Sequence, residues 1–303
     1  MGIPVVAVVG ATAVGKSDLA VSLARELDGE VVNADSMQLY RGMDIGTAKL
    51  APAEQGRVPH HLLDVWDVRR TATVAEYAEL ATAAIEDCVR RGRTPVLVGG
   101  SGLYLRAALD VMDFPGTDRS VRHRLESELA ADGPQALHDR LGQVDPAAAA
   151  RILPTNGRRI VRALEVVEIT GRPFAAALPD PAYRRPAVQI GLEAPREVLD
   201  ERIARRVDRM WEAGLVDEVR RLQEQGLREG RTASRALGYQ QVLDFLAGAC
   251  SEHEAREETV RATRRFARRQ ESWFRRDPRV CWLPHDVPDL VRRAISLVRR
   301  PGG

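Results

Sequence analysis

The stretch from Gly10 to Ser17, which has the sequence GATAVGKS, decides the fold of this chain of 303 residues. It matches G-x-x-x-x-G-K-[ST], the P-loop, in which backbone N–H groups surround a phosphate. An apolar run at residues 3–9 precedes it and is typical of a buried parallel strand. Leu19, Leu23 and Leu27 follow at helical spacing. Strand, glycine loop and helix therefore stand in the order that a P-loop requires, and we expect a polyphosphate to bind here.

Lys16 lies inside this loop and is one of only two lysines among 45 basic residues, the other being Lys49. An ammonium is a compact point charge, whereas the guanidinium of arginine is a wider, planar fork. We expect Lys16 to contact phosphate oxygens and the Ser17 hydroxyl to ligate Mg2+. The motif does not indicate which polyphosphate is bound.

The composition is that of a globular protein, with 44% hydrophobic and 29% charged residues. No apolar run has the length of a membrane span, and the N-terminus lacks the pattern of a signal peptide. The three scattered cysteines predict reduced thiols, so we expect a cytoplasmic protein without membrane contact. The net charge of +2 means that nucleic-acid binding would depend on where the charges lie.

Strand and helix patterns alternate in the first part of the chain. Strands are predicted at 30–34, 95–98 and 187–192, and helices at 74–91 and across 196–226. This alternation predicts a parallel sheet covered by helices.

Residues 119–170 differ, because they show only helical periodicity, and a proline-rich segment, 173–186, follows them. We therefore expect an α/β fold. A P-loop parallel sheet core flanked by helices would comprise residues 1–113 and 186–303, and an all-helical insertion domain would comprise residues 114–185.

Asp35 follows the second predicted strand. Ligands of open parallel sheets lie beyond the carboxyl ends of the strands, so Asp35 should face the same crevice as the P-loop. Its carboxylate would act as a general base, hold Mg2+ through water, or cap a turn, and the residues alone leave these roles open. Gly42 and Gly46 predict a flexible segment that wraps a ligand.

Ser101 lies in the segment GGSGLYLR, residues 99–106, again at the end of a strand. Its small neighbours allow close approach of the backbone, although a tight turn explains the glycines equally well. No acidic residue ends this strand, which slightly weakens a nucleotide-hydrolase interpretation, although Asp35 and Asp64 also follow apolar stretches and could serve.

Four segments in this order, GATAVGKS, ADSMQLYRGMDIGTAK, PHHLLD and VGGSGLYLRA, resemble the tRNA dimethylallyltransferase family, also called tRNA isopentenyltransferases or IPP transferases. The resemblance continues at residues 158–166, 201–206 and 234–241 and covers nearly the whole chain. It implies transfer of a dimethylallyl group from dimethylallyl diphosphate to N6 of the adenine next to the anticodon, position 37. The products are N6-isopentenyladenosine and pyrophosphate.

The resemblance also implies roles for single residues. Asp35 would be the general base, and Thr12, Lys16 and Arg206 would be the other catalytic residues, with Arg206 on the leaving pyrophosphate. The diphosphate and Mg2+ would be held by the P-loop, with Ser17 as the metal ligand; its residues are Gly10, Ala11, Thr12, Ala13, Val14, Gly15, Lys16 and Ser17.

The implied partner is the anticodon arm of tRNA, which the insertion domain would contact, and we expect a monomer. The residues implied to contact tRNA are Asp35, Ser36, Met37, Gln38, Ser101, Arg122, Arg158, Arg159, Arg162, Arg235, Tyr239 and Gln240. The chain departs from the family pattern at Ala11, where proline is usual, and at Ser101, where threonine is common. Gln240 stands where arginine is expected, which puts its contact in doubt.

A stripe of arginines at 261, 264, 265 and 268 lies on one face of a predicted helix, with aromatic residues between them. It is either an RNA-binding face or a solvated face over core residues. His60 and His61 are adjacent, so on a strand they would point to opposite faces and could not chelate one ion together.

Three competing functions remain from the residues alone. An isopentenyltransferase of free adenine nucleotides would not need the insertion or the basic stripe. A small-metabolite kinase would use the P-loop for a nucleoside triphosphate, and a non-catalytic RNA-binding module would use it only to hold an anion.

Overall fold

The computed structural model describes residues 2–174 and 180–300. The predicted proline-rich segment at 173–186 therefore falls partly outside the described residues. The chain forms two compact units, one comprising Met1–Val111 with Tyr183–Gly303 and the other comprising Met112–Ala182.

The first unit is built on six parallel strands: β1 (Val5–Gly10), β2 (Gly29–Asn33), β3 (His60–His61), β4 (Thr94–Val98), β5 (Ala187–Glu193) and β6 (Val280–Pro284). Their order in the sheet is β3-β2-β4-β1-β5-β6, and every pairing is parallel. The prediction of a parallel α/β sheet is thus confirmed. The sequence patterns did not predict β3 or β6.

Strand β1 is buried on both faces of the sheet. Because side chains alternate along a strand, Val5, Ala7 and Val9 pack into the hydrophobic cluster on one face, and Val6 and Val8 pack into the cluster on the other. This accounts for the continuous apolar run in the sequence.

Helices α1 (Lys16–Glu26), α2 (Val74–Arg90), α3 (Gly102–Leu109), α4 (Arg119–Val144), α5 (Pro146–Ala149), α6 (Gly157–Thr170), α7 (Arg196–Glu212), α8 (Leu215–Glu224), α9 (Tyr239–Leu246), α10 (Glu252–Phe274) and α11 (Leu290–Val298) complete the structure, with 3-10 turns at Leu227–Glu229 and Ala233–Arg235. No helix in the described ranges is long and apolar enough to cross a membrane.

The long helix α10 begins at a reciprocal cap. Ser251 Oγ accepts a hydrogen bond from the Glu254 N–H, and the Glu254 carboxylate accepts one from the Ser251 N–H at 2.8 Å. The two bonds satisfy donors that the first turn would leave without partners, so the sequence sets where α10 starts.

The second unit consists of α4, α5 and α6 around its own small core, which includes Leu125, Leu141 and Ile160. Gly133 breaks the regular geometry of α4 with a φ of 79°, at the Gly133-Pro134 position where the sequence pattern is interrupted. Asn156 caps α6 by accepting a hydrogen bond from the Arg159 N–H at 3.3 Å.

Candidate active site

The loop after β1 has the backbone shape that anion binding requires. Gly10 and Gly15 have φ values of 139° and 104°, which only glycine adopts readily. A Cβ at Gly10 would lie 2.5 Å from the carbonyl oxygen of Leu192 on β5. Helix α1 begins at Lys16 directly after this loop, so its unpaired N–H groups and the positive end of its dipole lie at the loop.

Lys16 lies at the centre of the charged groups. Its Nζ donates a hydrogen bond to the carbonyl oxygen of Ala11 at 2.7 Å. Burial, and secondarily the Arg206 guanidinium, lowers the pKa of Lys16 to about 7, while the Asp35 carboxylate opposes this effect. An anion bound beside Lys16 would therefore favour its charged form and raise its pKa.

Arg206 reaches the P-loop from α7. Its Nη1 donates to Thr12 Oγ1 at 3.3 Å, and its Nη2 donates to the carbonyl oxygen of Thr47 at 3.2 Å. Burial lowers the pKa of Arg206, and the Asp35 carboxylate opposes this effect. Two cations thus converge on the loop.

Asp35 has one of the roles that the sequence left open, that of a turn residue. Its Oδ1 accepts a hydrogen bond from the Met37 N–H at 2.9 Å, and its own N–H donates to Asn33 Oδ1 at 2.9 Å, so the residue forms a turn. Within the described residues, Oδ2 has no hydrogen-bond partner. One carboxylate oxygen therefore fixes the turn, and the other remains able to accept a proton.

The glycines after β4 have a specific packing partner. A Cβ at Gly100 would lie 2.0 Å from Gln270 Nε2, and a Cβ at Gly102 would lie 2.0 Å from Trp273 Nε1, both on α10. Between these glycines, Ser101 Oγ lies 3.3 Å from Ser36 Oγ. The structure therefore supports the interpretation that these glycines allow another segment, here α10, to approach closely.

Thr12, Asp35, Ser101 and Arg206 line one cavity of about 570 Å³ within the first unit. Lys16 is not part of this lining, but a Cβ at Gly100, which is, would lie 3.8 Å from Lys16 Nζ. The polar lining of the cavity includes Thr12, Asp35 and Arg206, and its apolar lining includes Val207 and Met210. The full lining is Thr12, Asp35, Ser36, Met37, Gly46, Thr47, Gly100, Ser101, Gly102, Leu103, Tyr104, Ile203, Arg206, Val207, Met210, Arg235, Ala236, Leu237, Thr259, Thr263, Phe266, Arg269, Gln270 and Trp273. The cavity suits a ligand with an anionic end and an apolar end.

The loop from Asp35 to Lys49 is anchored to the helices around it, in contrast to the flexible segment that its glycines predicted. The buried carboxylate of Glu218 on α8 accepts hydrogen bonds from the N–H groups of Asp44, Ile45 and Gly46 at 3.2, 2.9 and 3.3 Å. Lys49 Nζ contacts Asp44 and Asp64, each at 2.6 Å. The second lysine of the chain therefore stabilises a loop that lines the cavity.

Tyr239 departs from the expectation of a tRNA contact. Its side chain is fully buried, and its hydroxyl donates to Glu218 Oε1 at 2.5 Å. Burial and the adjacent carboxylate raise the pKa of Tyr239. In this structure the Tyr239 side chain supports the anchor of the 44–46 loop and has no surface to offer to RNA.

The other residues implied to contact tRNA have varied surroundings. Gln38 Nε2 donates to the carbonyl oxygen of Thr47 at 3.2 Å, and Gln240 Nε2 donates to Asp244 Oδ1 at 3.0 Å. Arg235 is exposed and lines the cavity.

Within the helical unit, Arg122 and Arg162 both pair with the buried carboxylate of Glu165. Arg158 and Arg159 are exposed on the first turn of α6. These four arginines are thus grouped in one unit, two of them paired with Glu165 and two exposed.

Most of the arginine stripe on α10 is already paired. Arg261 and Arg265 contact Glu258 at 2.9 and 2.5 Å, and Arg264 donates to the carbonyl oxygen of Asp200 at 3.1 Å. Arg268 and Arg269 are exposed, and neither has a carboxylate partner in the described part of the chain. The stripe therefore offers fewer unpaired arginines for RNA phosphates than the spacing of its arginines predicts.

Glu30, His61 and Cys88 place three metal-type donor atoms within 4.8 Å of one another. Both oxygens of Glu30, however, accept from the Arg91 guanidinium, at 2.5 and 2.7 Å, and Oε2 also lies 2.6 Å from His61 Nε2. A cation would have to displace this guanidinium, so the cluster is an ion-pair network. His60 Nδ1 contacts the carbonyl oxygen of Val58 at 2.8 Å.

The fold and the site together define a P-loop α/β protein in which the Arg206 guanidinium and the Asp35 carboxylate line one amphipathic cavity beside the P-loop lysine. The profile of the family described as IPP transferase matches residues 38–277, and the chain belongs to this family.

Similar proteins span nearly the whole chain. A tRNA dimethylallyltransferase of Thermobifida fusca is 71% identical over 299 residues, which is 97% of this chain and 94% of the relative. One of Streptomyces avermitilis is 68% identical over 98% of this chain and 96% of the relative.

Two solved structures are also similar. The full-length tRNA isopentenylpyrophosphate transferase of Bacillus halodurans has a TM-score of 0.71 at 43% identity and covers 98% of this chain and 94% of its own. A eukaryotic dimethylallyltransferase acting on tRNA has a TM-score of 0.82 at 27% identity and covers 96% of this chain and 77% of its own.

Proposed function

We propose that the cavity beside Lys16 is where this chain transfers a dimethylallyl group from dimethylallyl diphosphate to N6 of adenine 37 in tRNA. The chain is a tRNA dimethylallyltransferase. The observation that carries the proposed site is that Arg206 and Asp35 line one cavity with polar and apolar parts and that both act electrostatically on the neighbouring Lys16 ammonium.

The donor's diphosphate binds at the P-loop. The N-terminal amides of α1, the Lys16 ammonium and the Arg206 guanidinium supply positive charge there, and Thr12 is held in place by its contact with Arg206. The five-carbon tail then lies along the apolar lining, which includes Val207 and Met210. The ammonium and guanidinium stabilise charge that grows on the leaving group, so they favour the transition state.

Mg2+ would be held at the P-loop by Ser17, which lines a separate small cavity with Asn33 and Gln38. Ser17 is half-buried in the first turn of α1, and its hydroxyl has no hydrogen-bond partner among the described residues. Mg2+ prefers oxygen ligands and keeps several waters, so Ser17 would supply one ligand and the diphosphate others. When bound, Mg2+ neutralises part of the diphosphate charge.

Asp35 takes the proton. The lone pair of adenine N6 forms a bond to C1 of the dimethylallyl group, while the C1–O bond breaks and its electron pair leaves with pyrophosphate. The N6 proton passes to Oδ2 of Asp35, the oxygen that the turn leaves without a partner. The adenine must leave its stack to reach this position.

The helical unit 112–182 is proposed to contact the anticodon arm, with the exposed Arg158 and Arg159 as its phosphate contacts. Arg235 and Ser101 are proposed contacts at the cavity. The groups proposed for chemistry all come from one copy of the first unit, so we propose that the enzyme acts as a monomer. A tRNA substrate is consistent with a cytoplasmic location.

Product analysis tests this function. The protein is incubated with labelled dimethylallyl diphosphate, Mg2+ and bulk tRNA, with AMP in a parallel reaction and ATP as a competing donor. The expected result is label in N6-isopentenyladenosine of tRNA together with released pyrophosphate. Prenylated AMP alone, a phosphorylated product with ADP, or no product would each overturn the proposal.

A further inference from the structure

Gln270 joins the two loops that enclose Lys16. It lies near the end of α10, is 5% exposed, and is separated from the P-loop by 258 positions in the sequence. Its Oε1 accepts a hydrogen bond from the Thr12 N–H at 2.8 Å, and its Nε2 donates one to the carbonyl oxygen of Gly100 at 2.9 Å. One buried amide thus bridges the P-loop and the turn after β4.

Gly100 shows how close this bridge lies to the charged groups. A Cβ at that position would be 2.0 Å from Gln270 Nε2 and 3.8 Å from Lys16 Nζ. The amide and the ammonium therefore lie against the same glycine, and any residue larger than glycine would displace the amide.

We infer that Gln270 is a positioning residue of the transferase, which sets the separation of the P-loop from the β4 turn and thereby orients Thr12 and Lys16 toward the donor diphosphate. This inference rests on the proposed function. Thr12 Oγ1 accepts a hydrogen bond from Arg206, and Ser101, the residue after Gly100, has its Oγ 3.3 Å from Ser36 Oγ. A shift of the bridge would therefore move groups on both sides of the cavity.

The amide is suited to this task because it offers a donor and an acceptor on one planar group. A carboxylate would only accept, and an ammonium would only donate. A leucine of similar size would leave the Gly100 carbonyl oxygen and the Thr12 N–H without these partners, at the cost that buried polar groups incur when they lose a hydrogen bond.

The first test is Gln270→Leu, with Gln189→Leu as a matched control. Gln189 is also a buried glutamine, and its Nε2 donates to Tyr183 and Asp277, but it does not line the cavity. For Gln270→Leu we expect kcat to fall about tenfold or more and the KM for dimethylallyl diphosphate to rise, with the Kd for tRNA within about twofold of the unmodified enzyme. The control loses comparable hydrogen bonding and should keep kcat and both substrate constants. Equal kinetics in the two variants would overturn the inference.

The second test is Gly100→Ala, alone and combined with Gln270→Leu, with urea unfolding of every variant. The added methyl group would displace the Gln270 amide, so Gly100→Ala should lower kcat as Gln270→Leu does. If both substitutions act by breaking the same bridge, the second has nothing further to break, so kcat of the double variant should be no lower than that of the slower single variant. Such non-additive losses in kcat would show that the two positions are coupled. Rate losses that multiply would mean that the two residues act independently and would contradict the inference.

The two proposals fail in different ways. If the unmodified enzyme gives no prenylated tRNA, the proposed function itself is wrong. If the unmodified enzyme is active and both Gln270→Leu and Gly100→Ala keep its kcat and donor KM, only the positioning role is wrong. Gly100→Ala keeps Gln270 present, so it still decides the question if Gln270→Leu does not fold.

Discussion

Arg206 Nη1 donates a hydrogen bond to Thr12 Oγ1 at 3.3 Å, which joins α7 to the P-loop across 194 positions of the sequence. The same guanidinium donates to the carbonyl oxygen of Thr47 in the anchored loop. One side chain thus connects three segments that line the cavity. We propose that its charge stabilises the diphosphate as it leaves.

Arg206→Met should therefore slow chemistry more than it weakens RNA binding. Removing one stabilising donor from a developing anion costs about 10²- to 10³-fold in kcat. Single-turnover transfer measures the chemical step, and filter binding measures the Kd for tRNA, which should change less than about threefold.

Arg205→Met is the matched control, because Arg205 precedes Arg206 on α7 and is exposed. It should keep normal transfer. A large loss of tRNA affinity in Arg206→Met, with an unchanged single-turnover rate, would reassign Arg206 to RNA contact.

Asp35→Asn should remove the base and keep the turn. The amide oxygen of asparagine can still accept the hydrogen bond from the Met37 N–H, so the backbone geometry should survive. We expect a loss in kcat of about 10²- to 10⁴-fold, the range for a general base, with little change in the Kd for tRNA.

Asp67→Asn provides the comparison for Asp35→Asn. Asp67 Oδ1 accepts from the Arg69 N–H two residues later, the same turn geometry, but it lies outside the cavity. Its asparagine variant should be fully active. Near-normal turnover in Asp35→Asn would remove Asp35 from the base role.

The pKa of Lys16, about 7, predicts a pH dependence of donor capture. Free enzyme carries the ammonium below this pH and loses it above, so kcat/KM for dimethylallyl diphosphate should fall above about pH 7. The decline should approach tenfold per pH unit, because kcat/KM reports groups of the free enzyme.

Lys16→Arg is the control for that decline. The guanidinium stays charged throughout this pH range, so the variant should be slower at every pH, because its wider fork fits the loop poorly. Its kcat/KM should lack the inflection near pH 7. An inflection of the same size in both enzymes would assign the titration to another group.

Arg269 should carry more of the electrostatic binding of tRNA than Arg261. Arg269 is exposed, lies at the cavity, and has no carboxylate partner among the described residues, whereas Arg261 is paired with Glu257 and Glu258. Each phosphate contact contributes close to one unit to the slope of log K against log salt concentration. Arg269→Gln should reduce that slope by about 1, and Arg261→Gln should leave it nearly unchanged. Equal slopes in the two variants would contradict a contact at Arg269.

Tyr239→Phe should affect stability and leave RNA affinity intact. The hydroxyl donates to buried Glu218, and its loss should lower the free energy of unfolding by about 1 kcal/mol. Tyr77→Phe is a matched control, because the Tyr77 hydroxyl is also buried and donates to the carbonyl oxygen of Asn33 at 3.0 Å. Urea unfolding and tRNA titration compare the two. A tenfold weaker Kd for tRNA in Tyr239→Phe, at unchanged stability, would show that Tyr239 contacts RNA directly.

Much of the fold could be predicted because its signals are local. The apolar run ahead of the P-loop predicted β1, and the rule that ligands lie beyond strand ends predicted that Asp35 faces the crevice of the P-loop, where it lines the cavity. Strand β3 was not predicted, because a strand of two residues shows no periodicity. Strand β6 was not predicted, because it is a short edge strand that ends in Pro284.

The parts of the site that sequence reasoning missed depend on contacts between distant segments. Gln270 appears in the sequence as one polar residue in an arginine-rich helix, and only the fold brings it to Thr12. The closely spaced glycines Gly100 and Gly102 were the signal that another element approaches there, but they do not say which one. Tyr239 was implied as an RNA contact by resemblance, and its burial follows from packing that no local pattern encodes.

A crystal structure of the enzyme with Mg2+ and a non-reactive thio analogue of dimethylallyl diphosphate tests the central claim most directly. The account predicts the diphosphate within hydrogen-bonding distance of Lys16 Nζ and the Arg206 guanidinium, with C1 of the prenyl group facing Asp35 Oδ2. A P-loop without the analogue at saturating concentration, or a diphosphate bound elsewhere in the cavity, would contradict it.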